Sequence, residues 1–125
     1  MQNKSSSFAR IDRISQEAHR CIDAIIREEV KDPRICGTWS IVHCEVTRDL
    51  RYCKVRVSIL EEAVRRNMMI ALENAAGFVR RELSRRMDLR YTPQIIFELD
   101  TNIEYAAKID RILKEREGHD ANEQA

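Results

Sequence analysis

ALENAAGFVRRELSRR, residues Ala71 to Arg86, is the stretch that decides the predicted fold. Apolar residues recur at a spacing of three and four on both sides of Gly77, which is the pattern of an amphipathic helix. Glycine inside a helix is less favourable than alanine by about 1 kcal/mol, so its place between two amphipathic halves indicates a bend or a close backbone approach. We therefore predict two helical halves joined by a kink at Gly77.

The residues around the predicted kink suit a phosphate ligand. Small residues expose the backbone there, and the arginines that follow lie on the side of the helix away from the apolar stripe. The candidate binding residues are Ala75, Ala76, Gly77, Arg80, Arg81 and Arg85. The alternative is a packing joint beside a solvated charged face, since runs of charge on helices commonly serve solubility.

Composition describes one soluble domain with an uneven distribution of charge. The chain has 125 residues, of which 43% are hydrophobic and 34% charged, and this length allows a modest single core. The formal net charge is only +1. Arginines nevertheless outnumber acidic residues between Val64 and Tyr91, and acidic residues dominate from Glu115 onward. In the net charge, the acidic residues at the end of the chain therefore offset the excess of basic residues between Val64 and Tyr91.

Targeting signals are not apparent in the sequence. The apolar runs are shorter than the roughly 18 residues that a membrane span needs, and the start MQNKSSSFAR lacks the apolar segment of a secretory signal. We therefore expect a cytoplasmic protein with no membrane partner.

Four cysteines, Cys21, Cys36, Cys44 and Cys53, are spaced without a CxxC or CxH motif. Three of them fall on the apolar faces of predicted elements, and a reducing cytosol disfavours disulfides. We predict buried free thiols, with no metal site and no cofactor. Zinc and disulfide pairing are the alternatives.

A first helix and a hairpin are predicted upstream of the opening stretch. Ser7 is the predicted cap of a helix that ends near residues 29–30, before the KDPR turn. The period changes to two from Trp39 to Thr47 and again from Tyr52 to Ile59, which is typical of two half-buried strands joined by a short turn. In the first strand, the residues predicted to point inward are Val42, Cys44 and Val46.

A third strand and a last helix are predicted downstream. Pro93 introduces an alternating segment that ends at Leu99, and Thr101-Asn102-Ile103-Glu104 has the S/T-x-x-E form of a capping box. The apolar face of the last helix would consist of Tyr105, Ala106, Ile109, Ile112 and Leu113.

These elements give the order α-β-β-α-(kink)-α-β-α, an α+β fold with a three-stranded sheet and helices packed on one face. The predicted single domain covers residues 8–114. Residues 1–7 would form a flexible lead, and residues 115–125 a disordered acidic tail.

This order resembles the type II KH fold, whose members bind single-stranded nucleic acid at a GxxG loop. The chain has no GxxG, but from about Arg10 to Leu113 it resembles, in six blocks, the ribosome-binding factor A family. The blocks are RIDRI, KDPR, VTRDLRYCKVRVSI, ALENAAGFVRREL, LRYTPQIIFELD and EYAAKIDRIL. In that family an AxG turn replaces GxxG, and Ala75-Ala76-Gly77 fits that turn.

The resemblance implies a non-enzymatic KH-like factor. Such a factor binds the 16S rRNA of the small (30S) ribosomal subunit near its decoding region during late maturation, and is a monomer when free. The opening stretch would then carry the RNA site. Weaker RNA-binding candidates are Lys54 and Arg56 on the hairpin, and Arg10, Arg13 and Arg20 on the first helix.

Two other functional classes are weighed against RNA binding. A protein-binding adaptor would use the sheet edge or the first helix against a ribosomal protein or an assembly GTPase. An enzyme would need a nucleophile beside a base, but His43 and Cys44 are adjacent on a strand and so point to opposite faces. Catalysis is therefore not predicted.

Overall fold

The computed structural model describes the backbone of residues 2–102 and 110–114, and the side chains within these ranges from Ala9 onward. The helices are α1 (Gln2–Glu28) and α2 (Glu62–Arg86), and the strands are β1 (Trp39–Val46), β2 (Tyr52–Ile59) and β3 (Gln94–Leu99). Most of the predicted last helix and the acidic tail lie outside the described residues. Residues 110–114 are helical, but Ile112 and Leu113, which were predicted to pack, are 46% and 52% exposed.

Helix α1 begins at Gln2, five positions before its predicted cap, so Ser7 lies inside the helix. No glycine or proline stands between these residues to stop the helix. The division of the chain into a lead, a domain and a tail stays a prediction. No helix in the described ranges is sufficiently long and apolar to cross a membrane.

The three strands form one sheet in the order β1-β2-β3. β1 and β2 are antiparallel, whereas β2 and β3 are parallel, and parallel neighbours need a crossover, which α2 supplies. α1 packs on β1, α2 packs on β3, and the two helices contact each other. The predicted α+β architecture, with helices on one face of a three-stranded sheet, is confirmed. Residues from all five elements meet in a single core, including Ile22, Ile25, Cys44, Val55, Leu72, Leu83 and Phe97.

A β-bulge in β1 changes which residues face that core. The pairing with β2 shifts between Ile41 and His43, so Val42 is an extra residue in the ladder. Ile41 is 7% exposed and Val42 is 45% exposed. The prediction that Val42 points inward was wrong, because the bulge turns it outward and Ile41 takes the core position. Cys44 and Val46 are buried as predicted.

Helix α2 is continuous from Glu62 to Arg86, so the predicted interruption of the helix at Gly77 is wrong. Gly77 does not have a positive φ, and a Cβ built on it would meet nothing within 4 Å. Both halves bury one stripe against the same core, through Met68, Leu72, Val79 and Leu83. The shared packing stabilises the helix across the glycine and outweighs its poor propensity.

Two carboxylates organise the loop between α1 and β1. Asp32 accepts hydrogen bonds from the backbone N–H of Arg34 (3.0 Å) and from its Nη2 (2.7 Å), so the KDPR turn is closed by its own side chains. Glu61, just before α2, accepts the backbone N–H of Thr38 at 2.7 Å. Between these contacts, Gly37 has a φ of +79°, which side-chain-bearing residues rarely adopt. The loop is thereby tied to the start of α2.

Candidate nucleic-acid interface

The second half of α2 presents a stripe of exposed residues at helical spacing. Gly77, Arg80, Arg81, Ser84 and Arg85 are all exposed. They lie opposite the buried stripe of the helix, because positions three and four apart share a face. We call Arg80, Arg81 and Arg85 the arginine stripe.

The three members of the arginine stripe differ in the contacts that their side chains make. Arg80 donates from Nε (3.2 Å) and Nη2 (3.0 Å) to the carbonyl oxygen of Thr92, so it also supports the loop before β3. Nη1 of Arg85 lies 3.5 Å from Oε1 of Glu82, whose side chain is 17% exposed; the Arg85 side chain is 77% exposed, so solvent screens the charge of the arginine. Arg81 has no side-chain partner among the described residues. The stripe therefore keeps donors that can meet an external anion.

The small residues at the predicted kink do not form a continuous stretch of exposed backbone. Ala75 and Ala76 are half-buried and pack against the core. Gly77 alone is exposed, and nothing in the described structure approaches the space where a side chain would stand. At Gly77, therefore, no side chain covers the backbone of α2 on its exposed face.

The outer face of the hairpin has balanced charge. Lys54 and Arg56 are exposed, but in the sheet register Lys54 stands opposite Glu45, and Arg56 stands opposite Glu98. Opposite charges directly across a sheet favour each other. These two cations therefore add less to the surface potential than their number suggests.

Other basic residues have structural partners. Arg86 donates to Glu29 at 2.5 Å and joins the ends of the two helices. Arg27 pairs with Asp23 at 3.1 Å and stacks 4.1 Å from the ring centre of Trp39.

On α1, the candidates Arg10, Arg13 and Arg20 are exposed.

A cleft of about 610 Å³ opens between the β1–β2 turn and the loop that follows α2. Its lining includes two exposed tyrosines, Tyr52 (40%) and Tyr91 (65%), and two arginines, Arg51 and Arg80. We call it the tyrosine cleft. The sequence did not predict this cleft, because no motif links the strand that begins at Tyr52 to the segment that contains Tyr91.

The cysteines occupy three different environments. Cys44 and Cys53 are buried with their Sγ atoms 3.3 Å apart, Cys21 is half-buried and Cys36 is exposed. All four are free thiols, but the prediction of burial holds only for the pair on the sheet. The pKa of the Cys44 thiol is raised, mainly by the contact with Cys53 and to a smaller extent by burial. His43 is exposed on the face away from Cys44, and the described residues contain no cluster of three potential metal ligands.

Known proteins are similar to this chain in sequence and in fold. The family model for ribosome-binding factor A matches residues 10–113. Ribosome-binding factor A of Caldanaerobacter subterraneus subsp. tengcongensis is 52% identical over 115 residues, which cover 89% of this chain and 94% of the relative.

Two structures from Thermus thermophilus show the likeness of fold. The crystal structure of its ribosome-binding factor A aligns with a TM-score of 0.64 at 20% identity, over 71% of this chain and 93% of the other. A homology model fitted into a cryo-EM map of a complex of that factor with the 30S subunit aligns at 0.57 and 21% identity, with the same coverage. The KH-like α+β class is thereby confirmed. The family model and the relative of 52% identity show that the chain belongs to the ribosome-binding factor A family.

Proposed function

We propose that this protein is a non-enzymatic assembly factor that binds the small (30S) ribosomal subunit and assists late maturation and processing of its 16S rRNA. It would act in the cytoplasm as a monomer that joins the subunit transiently. Family membership and the 30S complex of the Thermus relative support the partner. The arginine stripe, exposed beside the open backbone of Gly77, is the observation that carries the RNA contact.

Electrostatics favours the arginine stripe over the hairpin as the main phosphate-binding surface. Arg81 has no side-chain partner in the described part of the chain, and Arg85, whose side chain is 77% exposed, has only the 3.5 Å pair with Glu82. Lys54 and Arg56 instead face carboxylates across the sheet. Phosphate contacts release condensed counterions and supply much of the affinity for RNA, so the least neutralised cations should contribute most.

Gly77 provides a second argument for the same surface. It is less favourable than alanine in a helix by about 1 kcal/mol, and neither its φ nor a neighbouring atom requires a glycine. A missing side chain on an exposed helical face allows an RNA backbone to come close. Ala75 and Ala76 would then support this position from the core side and make no direct contact.

The test compares two double variants with the same change in charge. Arg81→Glu with Arg85→Glu removes two stripe cations and leaves the contact of Arg80 with Thr92 intact, whereas Arg13→Glu with Arg20→Glu alters α1. Affinity for isolated small subunits and for protein-free 16S rRNA is measured over a range of salt concentrations. The stripe variant should bind at least tenfold more weakly, and its salt dependence should flatten by about 0.7 per lost phosphate contact.

The α1 variant should bind within about threefold of wild type. If the α1 variant loses binding and the stripe variant does not, the RNA surface lies on α1. Loss of binding to intact subunits alone, with no change for protein-free RNA, would instead support a protein-binding adaptor that contacts a ribosomal protein.

A further inference from the structure

The tyrosine cleft is held open by hydrogen bonds on both sides. The backbone N–H of Gln94 donates to the carbonyl oxygen of Arg51 at 2.8 Å, which fixes the β1–β2 turn to the start of β3. On the other wall, Arg80 holds the carbonyl oxygen of Thr92 through two of its nitrogens. The cleft is therefore formed before any ligand arrives, and less entropy is lost on binding.

The tyrosine cleft contains two exposed aromatic rings. Tyr91 is 65% exposed and Tyr52 is 40% exposed, although burial of a tyrosine ring is strongly favourable. The guanidinium carbon of Arg90 lies 5.7 Å from the centre of the Tyr91 ring. A cation beside an exposed ring is typical of surfaces on which unpaired bases stack.

Hydrogen-bond donors surround the rings, and the nearby acid is already occupied. The side chain of Arg51 is 78% exposed, and its Nε makes a long, solvent-exposed pair with Oδ2 of Asp49 at 3.9 Å, which is weak. Nη1 of Arg80 makes no hydrogen bond to the described residues. Asp49 accepts the hydroxyl of Thr47 (2.7 Å) and the backbone N–H of Arg51 (3.1 Å). Its carboxylate is thus engaged in the turn, and the donors at the mouth of the cleft remain suited to phosphate.

We propose that the tyrosine cleft binds one unstacked nucleotide of single-stranded RNA, with the base on Tyr91 and its phosphate at Arg51 and Arg80. The inference rests on the proposed function and adds a base-stacking site to the arginine stripe. Arg80 belongs to both surfaces, so a strand crossing the stripe would continue into the cleft. An acidic peptide would meet the same arginines but would not need an exposed aromatic ring.

The experiment uses the full chain with Tyr91→Leu, which keeps an apolar side chain but removes the ring. Tyr91→Phe keeps the ring. Leu60→Ala is a control at a different exposed residue, which is 58% exposed. Affinity for intact small subunits and for protein-free small-subunit rRNA is measured at several salt concentrations. Tyr91→Leu should weaken binding to both by about five- to 150-fold, while Tyr91→Phe and Leu60→Ala stay within about twofold of wild type.

Salt dependence separates the cleft from the arginine stripe. Tyr91→Leu should leave the salt slope unchanged, since stacking releases no counterions, whereas loss of Arg81 and Arg85 should flatten it. If Tyr91→Leu binds like wild type while the stripe variant fails, the cleft assignment is overturned and the proposed function stands. If Tyr91→Leu weakens binding to intact subunits but not to protein-free RNA, the cleft binds a ribosomal protein, which also overturns the assignment. If neither variant changes binding to either partner, both proposals fail.

Discussion

Two glycines stand in very different regions of the molecule. Gly37, in the loop before β1, has a φ of +79°, and a Cβ there would lie 2.6 Å from Oε2 of Glu61. Gly77, in the middle of α2, has no positive φ and open space around it. The backbone angle and the neighbouring atoms, rather than the kind of element, therefore decide whether a glycine is needed for the fold.

The largest effect is expected from Gly37→Ala. Alanine at a positive φ costs about 1–2 kcal/mol, and its methyl group would also push Glu61 away from the N–H of Thr38. We expect a lower free energy of unfolding, measured by urea denaturation. In a Glu61→Ala background the loss should shrink toward the strain alone, because the displaced carboxylate is absent. An unchanged stability in Gly37→Ala would show that the loop adapts freely.

Gly77→Ala should have a smaller effect of the opposite sign. Alanine is favoured in a helix interior by up to about 1 kcal/mol, and the new methyl group meets no atom. Urea denaturation should therefore show a higher free energy of unfolding, contrary to what a kinked helix predicts. If RNA approaches the backbone here, the same variant should bind small subunits more weakly although it is more stable. A loss of stability would contradict the continuous helix.

The smallest effect concerns the pH dependence of the contact between Glu61 and the loop of Gly37. The hydrogen bond from the Thr38 N–H lowers the pKa of Glu61 below its ordinary value. A carboxyl whose pKa is lower in the folded state stabilises the fold above its unfolded pKa, near 4.3. This contribution is lost as the pH falls through the folded pKa.

Glu61→Gln keeps an acceptor for Thr38 but removes the charge, so it isolates this part of the pH dependence. Thermal melts from pH 7 to pH 3 should show a stability gap between wild type and Glu61→Gln that closes toward the acid end. A gap that stays constant over this range would mean that the carboxylate does not titrate with folding. The lowered pKa values of Asp32 and Asp49 are common to both proteins and cancel.

Much of the fold was predictable because its elements have strong periodicity. Alternation through β2 and the stripe of α1 place Cys53, Val55 and Ile22 in the core, where the structure has them. The bulge at Val42 was not predictable, since an extra residue is defined only by its pairing partner. The interruption of the helix at Gly77 was wrongly predicted because helix propensity was weighed without the packing that holds both halves in the same core.

The candidate site was predictable in part for a similar reason. Helical spacing correctly put Arg81 and Arg85 on an exposed face. The sequence could not show that Glu98 stands opposite Arg56, or that Tyr52 and Tyr91 meet in one cleft, because each depends on how distant segments come together in the fold.

The parallel pairing of β2 with β3 also constrains the order in which the chain folds. β1 and β2 close over the short turn of residues 47–51, whereas β3 reaches β2 only after residues 60–93. A loop several times longer costs about 1–2 kcal/mol more to close. The pairing of β2 with β3 that offsets this cost forms only when α2 has folded across the connection. We therefore expect the hairpin to form early and β3 to dock last, so that its backbone amides would be the first of the sheet to exchange with solvent.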